Sequence, residues 1–198
     1  MGSIKGDIFK AIGDLLMIAM ASDDETIMPS LKWYDKDFGQ AELIKQGIIS
    51  LPLPAVLIKI TCPIWDGRLS NVQTGEGLIR IRVLFENYAD SFQTNEGDSI
   101  NQGKAIQFFE FNEKINIALD GVQGENFTSL NRSGDDEDDD HDMIIVTDVT
   151  YTTLITDDKA QNKGMSVIEN PVINSTQEHS ITKPEIITDH YFVIPKKQ

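Results

Sequence analysis

Residues 51–86 read LPLPAVLIKITCPIWDGRLSNVQTGEGLIRIRVLFE, and two parts of this segment alternate between apolar and other side chains. The first part runs from Ala55 to Thr61 and the second from Leu78 to Glu86. A period of two residues is typical of a β-strand with one face on a hydrophobic core. Gly75 and Gly77 come just before the second part, where a turn with positive φ would favour glycine. The segment therefore predicts two paired strands with a turn near these glycines.

The second strand has an apolar face and a charged face. Its isoleucines point one way, while Arg80 and Arg82 lie on the opposite face together with Leu78 and Leu84. In a monomer we expect these arginines to be solvated. In an oligomer we expect them to pair with acids of a neighbouring subunit, where such pairs set the register of the contact more than its strength. Arg80 and Arg82 are interface candidates, and so is Trp65, since its aromatic ring is expected in a core or at an interface.

Periodic patterns elsewhere predict the remaining elements. Apolar residues at spacings of three and four predict helices over residues 4–21 and from residue 101 to about residue 121. Residues 40–46 are expected to form a helical turn. Residues 143–156 are rich in Ile, Val, Thr and Tyr and predict the longest strand. This order indicates the α+β class, an antiparallel sheet with two helices packed on one face.

The regular pattern stops after residue 157, so we expect the domain to span residues 1–157. Residues 158–198 are rich in polar side chains, yet they contain separate apolar clusters that include Tyr191 and Phe192. A disordered tail usually contains fewer such residues. We expect an extended C-terminal arm that becomes ordered on a neighbouring subunit by strand addition, with Tyr191 and Phe192 as interface candidates. The alternative is a terminus without fixed structure.

The chain is strongly acidic. Its 198 residues include 32 acids and 17 bases, for a formal charge of −15, and seven of the acids lie within residues 135–142. A protein that wraps nucleic acid needs Lys and Arg to replace the counterions of the phosphates, so this composition argues against nucleic-acid binding. The single cysteine, Cys62, is expected in the core. No segment of the sequence has the length of uncharged apolar residues that a membrane helix needs.

The acids between residues 135 and 142 allow two interpretations. They are Asp135, Asp136, Glu137, Asp138, Asp139, Asp140 and Asp142. Alternating carboxylates can hold a divalent cation, and such a site would also serve as a docking point for a protein. The run lacks the central glycine and the later bidentate acid of a calcium loop, so we expect instead a mobile hairpin tip that self-repulsion keeps in water. In either case, carboxylates that line a channel would keep DNA from adhering.

No catalytic signature appears in the sequence. It contains neither a nucleophile elbow nor a phosphate-binding glycine loop, and its three histidines have only acids as neighbours at metal-ligand spacing. Glu113 and Lys114, with an upstream acid, match part of the pattern of metal-dependent nucleases, but they fall in a predicted helix where that pattern requires a strand. We therefore expect no enzymatic activity, no cofactor and no metal. A metal-dependent nuclease is the alternative from another class.

The order of these features resembles one known family. The features are the N-terminal helix, LKWYD at residues 31–35, LPLPAVLIKI at 51–60 with Trp65, QTGEGLIRIRV at 73–83, FTSLNR at 127–132, the acidic run, and DVTYTTLITD at 148–157. Together they resemble the tail terminator, or tail completion, proteins of bacteriophages, particularly the versions in phages and prophages of Bacteroidetes-type hosts. The likeness covers about residues 4–157.

The resemblance implies a compact α+β subunit that assembles into a ring, usually a hexamer, at the head-proximal end of the tail tube. Such a ring ends tube polymerisation, so its implied partners are copies of the chain, the tail tube protein, and head–tail connector or portal proteins. DNA would pass through the lumen without specific binding. The protein would be made in the host cytoplasm and belong to the virion. The alternative within this class is a ring or adaptor beneath the portal of a short-tailed phage.

Overall fold

Three helices and six strands form within residues 3–67, 72–86, 99–138 and 144–159, which are the residues that the computed structural model describes. In chain order they are α1 (Ile4–Ala19), β1 (Trp33–Lys36), α2 (Gln40–Lys45), β2 (Ala55–Thr61), β3 (Asp66–Gly67), β4 (Gln73–Glu86), α3 (Ser99–Leu119), β5 (Asn131–Asp138) and β6 (Ile144–Asp157). The predicted helices and the three predicted strands are confirmed, although β4 begins at Gln73, ahead of the predicted start at Leu78.

The strands form one sheet in the order β1-β2-β4-β6-β5, and β3 pairs with β4 outside this path. β2, β4, β6 and β5 pair antiparallel, whereas β1 pairs parallel with β2. A parallel pair needs a crossover connection, and the segment that contains α2 supplies it. The predicted α+β class is confirmed. The sheet is mixed rather than wholly antiparallel because of this edge strand.

α1 begins at a side-chain cap and buries one apolar stripe. The Ser3 hydroxyl accepts a hydrogen bond of 3.0 Å from the Gly6 backbone N–H, which satisfies one donor of the first turn. Ile8, Ile12 and Leu16 recur at a spacing of four residues and are almost completely buried. This stripe therefore packs into the main core of the protein.

The main core lies between the sheet and the two longer helices. Phe85 of β4 meets Phe108 and Phe111 of α3 edge-on, with ring centroids 5.7 Å and 5.3 Å apart, a favourable arrangement for aromatic pairs. Ile12 of α1 joins the same core as Ile81 of β4. The two predicted helices thus pack on one face of the sheet, which we name the covered face.

A smaller core covers one end of the opposite face. Ala41 and Ile44 of α2 pack there against Leu57 of β2 and Leu84 of β4. Leu57 and Leu84 are fully buried, because α2 folds over this end of the face on which Arg80 and Arg82 also lie. The rest of this face is named the open face, and it includes Lys59, Thr61, Glu76, Leu78, Arg80, Thr150, Thr152 and Leu154.

Gly75 and Gly77 lie inside β4 and not in a turn, so the prediction of a turn there was wrong. Neither residue has a positive φ. A Cβ atom at Gly75 would lie 2.3 Å from the carbonyl oxygen of Ile64, and a Cβ atom at Gly77 would lie 2.4 Å from Cδ1 of Ile155. Glycine is required at position 75 because a backbone oxygen packs directly against the strand, whereas a side chain at position 77 would require the Ile155 side chain to move.

β6 ends at Asp157, the last residue of the predicted domain. Just beyond it, the Lys159 ammonium pairs with the Asp7 carboxylate of α1. The chain therefore leaves the sheet beside the N-terminal helix. Apart from residues 158 and 159, the predicted arm lies outside the described residues, and its extended form stays a prediction.

Candidate functional site

Two arginines of β4 pair with two acids of the same chain. Arg80 Nη2 lies 2.6 Å from Asp37 Oδ2, and Arg82 Nε lies 2.9 Å from Asp148 Oδ1. Arg80 Nη1 also lies 3.8 Å from Asp148 Oδ2. The four side chains form one network where the open face meets the end that α2 covers. Hydrogen bonds between charged groups at these short distances are stronger than those between neutral groups.

Asp37 is the most buried member of this network, with 5% of its side chain exposed. Burial raises the pKa of this carboxyl, but the Gly39 backbone N–H, Arg80 and the nearby charge of Arg82 together outweigh burial and lower the pKa below its ordinary value of 3.8. Asp37 is therefore ionised at neutral pH. Its hydrogen bond of 2.6 Å from Arg80 fixes that guanidinium against the sheet.

The arginines are not solvated as expected for a monomer. β6 places Asp148 directly opposite Arg82 in the sheet register, and the segment after β1 brings Asp37 to Arg80. The side chain of Arg80 keeps 34% of its surface exposed, whereas that of Arg82 keeps 11%. Arg80 therefore still presents a charge on the open face, and Arg82 mainly serves the network. A role for either residue in a contact between subunits stays a prediction.

The open face combines two cations and the exposed Glu76 with exposed apolar side chains. Lys59 is exposed and stands opposite Arg80 in the register of β2 and β4. Leu78 and Leu154, diagonal neighbours on β4 and β6, retain 37% and 43% exposure. Single exposed leucines are common on protein surfaces. Two of them beside two cations form a surface with the mixed composition that protein contacts use.

A second surface lies between α3 and β5, where a groove has a volume of about 500 Å³. We name it the acidic groove, and its lining includes Phe109, Asn112, Glu113, Arg132, Asp135 and Glu137. Phe109 retains 64% exposure, and the Arg132 guanidinium pairs with the Asp135 carboxylate. Because that pair is neutral overall, Glu113, Asp136 and Glu137 give the groove its negative charge.

Hydrogen bonds between α3 and β6 fix the base of the acidic groove. The Tyr151 hydroxyl donates a buried hydrogen bond of 2.7 Å to Asn116 Oδ1, and burial raises the pKa of Tyr151 above its ordinary value of 10.0. Asn112 Nδ2 donates a hydrogen bond of 3.3 Å to Thr147 Oγ1. These bonds hold α3 at one position relative to the sheet, so the groove has a defined shape.

β5 changes the interpretation of the acidic residues 135–142. Its ladder with β6 includes Asp135, Asp136, Glu137 and Asp138. This half of the run is a strand, so the expectation of a mobile hairpin tip was wrong for it, because pairing with β6 outweighs the weak strand preference of acidic residues. The other acids, Asp139, Asp140 and Asp142, lie outside the described residues. A channel-lining role for the run stays a prediction.

The remaining interface candidates do not join the open face. Trp65 is half-buried and packs against the main core, on the covered face of the sheet. Arg80 and Arg82 lie on the opposite face, so the structure does not bring the three candidates together. Tyr191 and Phe192 lie outside the described residues.

Glu113 and Lys114 are neighbours on α3 with different surroundings. Glu113 lines the acidic groove, whereas Lys114 Nζ donates a hydrogen bond of 3.3 Å to the carbonyl oxygen of Ala21, beyond the end of α1. Within the described ranges, no group of three or more His, Cys, Asp or Glu side chains is placed to hold a metal ion. The nuclease alternative therefore gains no support from this geometry.

Sequence reasoning missed several residues that shape these surfaces. Asp148 was detectable, since alternation along β6 places it on the face opposite the buried Val149 and Tyr151. Asp37 gave no signal, because it lies between elements where no periodic pattern applies. Phe109 lies on α3 beside the buried Phe108, and only the packing of the helix shows which of the two rings is exposed.

A scan against protein-family models and a search of curated proteins found no match to this chain. None of the helices in the described part of the chain is long and apolar enough to cross a membrane. A proposal for function therefore depends on the open face, the acidic groove and the resemblance in sequence pattern.

Proposed function

We propose that this chain is a virion structural protein of a bacteriophage, a subunit of a tail terminator or neck ring that caps the tail tube and joins it to the head connector. The observation that carries the proposal is the difference between the two sheet faces. α1 and α3 bury one face, while the open face exposes Leu78 and Leu154 beside charged side chains. Such a surface suits contact with another protein. The resemblance over residues 4–157 suggests which assembly that contact builds.

Exposed apolar side chains elsewhere on the described surface support a subunit with several neighbours. Ile18 at the end of α1, Ile64 after β2 and Ile117 on α3 are each more than 70% exposed. Isolated residues of this kind carry little weight singly. In a ring they would supply contacts to adjacent copies, to the tail tube protein and to the connector or portal protein.

The negative charge of the chain supports a conduit for DNA. With a formal charge of −15 per copy, a ring of six copies would repel the phosphates of a passing duplex. Repulsion of this kind lowers non-specific binding, so DNA moves through the lumen without being held. In this proposal the protein needs no cofactor and has no enzymatic activity, and its function lies in shape and assembly.

We assign the C-terminal arm, residues 158–198, to a neighbouring subunit. β1 and β5 end the described sheet, and an edge strand can accept a further strand from another chain. β5 is the poorer acceptor because of its acids. β1 is the better one, and Tyr191 and Phe192 would then supply apolar anchors for the arm.

Two measurements test the proposal. Size-exclusion chromatography with light scattering should show a closed oligomer of the purified chain, with six copies as the expected number. Electron microscopy of purified phage particles, labelled with an antibody to the chain, should place the label at the neck. A strictly monomeric protein that is absent from virions would contradict the proposal. Label beneath the portal of a short-tailed particle would favour the adaptor alternative.

A further inference from the structure

We infer that neighbouring copies of this chain associate head to tail, with Lys59 and Arg80 of one copy placed against the acidic groove of the next. The inference rests on the proposed ring and names the two surfaces that meet in it. The occupant of the acidic groove is therefore a second copy of the chain, which enters through its open face.

Lys59 is the residue of the open face that most needs an acidic partner. It stands directly opposite Arg80 across β2 and β4, and like charges at directly opposed positions of a sheet repel one another. Arg80 is already paired with Asp37, whereas no acid among the described residues lies within ion-pair distance of Lys59. A carboxylate from outside the chain would relieve this repulsion.

The acidic groove offers such carboxylates beside an apolar surface. Asp135 is occupied by Arg132. Glu113 and Glu137 line the same groove and show no ion pair among the described residues. The ring of Phe109, 64% exposed, lies with them in the lining. The groove thus has both the negative charge and the apolar patch that complement the open face.

The two surfaces lie on opposite sides of the sheet. Asp135 is opposite Val149 in the register of β5 and β6, and Val149 is buried in the main core. Side chains at opposed positions share a face, so Asp135 and Glu137 lie on the covered face, whereas Lys59 lies on the open face. One copy cannot place its Lys59 in its own groove. A contact between two different surfaces of identical subunits continues from copy to copy and can close into a ring.

The open face matches the acidic groove in apolar surface and in charge, which favours a second copy over an unrelated basic partner. In the inferred contact the leucines of the open face pack against Phe109, and its cations pair with Glu113 and Glu137. A basic partner without apolar side chains would satisfy the charge alone. A second copy satisfies both and is available at the same concentration as the groove.

Charge reversal on each surface, followed by mixing, tests the inference with the full chain. One variant is Lys59→Glu, and the other combines Glu113→Lys with Glu137→Lys. Each variant alone should need a roughly tenfold or higher concentration to assemble, because like charges across an interface oppose association. An equimolar mixture should assemble like the wild type, since alternating copies place opposite charges at every contact. Light scattering during size-exclusion chromatography measures all three samples.

Lys10→Glu is the matched control, because it makes the same charge change at an exposed position of α1 and should leave assembly unchanged. Circular dichroism establishes that each variant is folded. If Lys59→Glu does not fold, Lys59→Ala takes its place. The inference is overturned if the variants assemble like the wild type, if Lys10→Glu is equally impaired, or if the mixture stays unassembled. Each of these results leaves the proposed ring standing. A wild-type chain that is monomeric at every concentration overturns both.

Discussion

Gly75 shows how closely the segment after β2 packs on β4. A Cβ atom there would lie 2.3 Å from the backbone oxygen of Ile64 and 2.5 Å from the Cys62 sulfur. Because a backbone oxygen cannot rotate away as a side chain does, Gly75→Ala should lower the free energy of unfolding by about 1 to 3 kcal/mol. Urea denaturation followed by circular dichroism measures this change.

The control for Gly75→Ala is Gly67→Ala. Gly67 lies in β3, which pairs with β4, and an added Cβ atom there meets nothing within 4 Å. Its substitution should change the free energy of unfolding by less than about 0.5 kcal/mol. Equal effects at the two positions would show that close packing is not the reason for glycine at position 75.

We predict that the charge of Asp37 stabilises the fold in a pH-dependent way. Asp37→Asn keeps the shape of the side chain but leaves Arg80 without its main counter-charge. Breaking a fully buried pair costs several kcal/mol, and because Arg80 is partly exposed we expect a loss of about 2 kcal/mol at neutral pH. Urea denaturation at a series of pH values measures it, with Asn in place of the exposed Asp23 as the control.

The sign of the pH dependence follows from the lowered pKa of Asp37. The folded-state pKa lies below the ordinary value of 3.8, so the stabilisation by Asp37 is present above that value and is lost as the pH falls through the folded pKa. The difference between wild type and Asp37→Asn should therefore shrink below about pH 4. A difference that stays constant into acid would show that the carboxylate charge is not responsible.

For single residues, the sequence predicts which face of the sheet a side chain occupies better than it predicts which side chain it pairs with. Alternation along β4 correctly places Arg80 and Arg82 on the face opposite the isoleucines. Their acids are far away in the chain, with Asp37 43 residues from Arg80 and Asp148 66 residues from Arg82. No local pattern links positions at such separations, because the sheet register brings Asp148 to Arg82 and the path of the chain after β1 brings Asp37 to Arg80.

At the scale of elements, one buried hydrogen bond joins α3 to β6. Tyr151→Phe removes the hydroxyl that donates to Asn116 Oδ1 at 2.7 Å and leaves a buried acceptor unpaired. We expect a loss of about 1 to 2 kcal/mol in the free energy of unfolding. Thermal or urea unfolding measures this loss, and the fold itself should be unchanged because the ring stays in the core.

The matched control is Tyr34→Phe. The Tyr34 hydroxyl also donates to a side chain, Asp14 Oδ1 at 3.0 Å, but this bond is exposed to solvent. Water replaces the lost partner there, so the change should stay below about 0.5 kcal/mol. If Tyr34→Phe cost as much as Tyr151→Phe, burial would not explain the effect at position 151.

The elements with a regular apolar period were predictable from sequence. α1, β2 and β6 begin and end within a few residues of the predicted limits, because their buried side chains recur with the period of a helix or a strand. β5 was not predicted, since a run of acids has no apolar face and is held in the sheet by β6. The parallel pairing of β1 also escaped prediction, because it depends on the path of the chain through α2.

At the scale of the whole molecule, we predict that the domain folds without the arm. The described residues between Ile4 and Ile155 already form a continuous hydrophobic core, and we expect deletion of residues 160–198 to leave the unfolding midpoint of the domain nearly unchanged. The deletion should weaken assembly, because the proposed strand addition to a neighbouring subunit is lost. Urea denaturation and light scattering measure the two effects on the same sample.

A gentler variant controls for the loss of chain length. Replacing Tyr191 and Phe192 by serine in the full chain keeps all 198 residues and removes only the proposed anchors. This variant should weaken assembly in the same direction as the deletion. If the arm contributes nothing to assembly, both variants should associate like the wild type. If the arm is required for folding, its deletion should lower the unfolding midpoint.

The surfaces on which the proposed function depends could not be predicted from the sequence. The charged strand face and the acidic run were both visible in the sequence, but neither pattern showed that α2 covers part of one face or that α3 and β5 enclose a groove. Both features arise from contacts between elements distant in the chain. The open face and the acidic groove could therefore be identified only from the three-dimensional arrangement.

β5 closes one side of the described sheet with four consecutive carboxylates. If two molecules met along these strands, their backbones would pair and like charges would be brought to a strand spacing of about 5 Å. We expect this repulsion to disfavour pairing between the sheets of separate molecules along β5, so that association is directed to other surfaces.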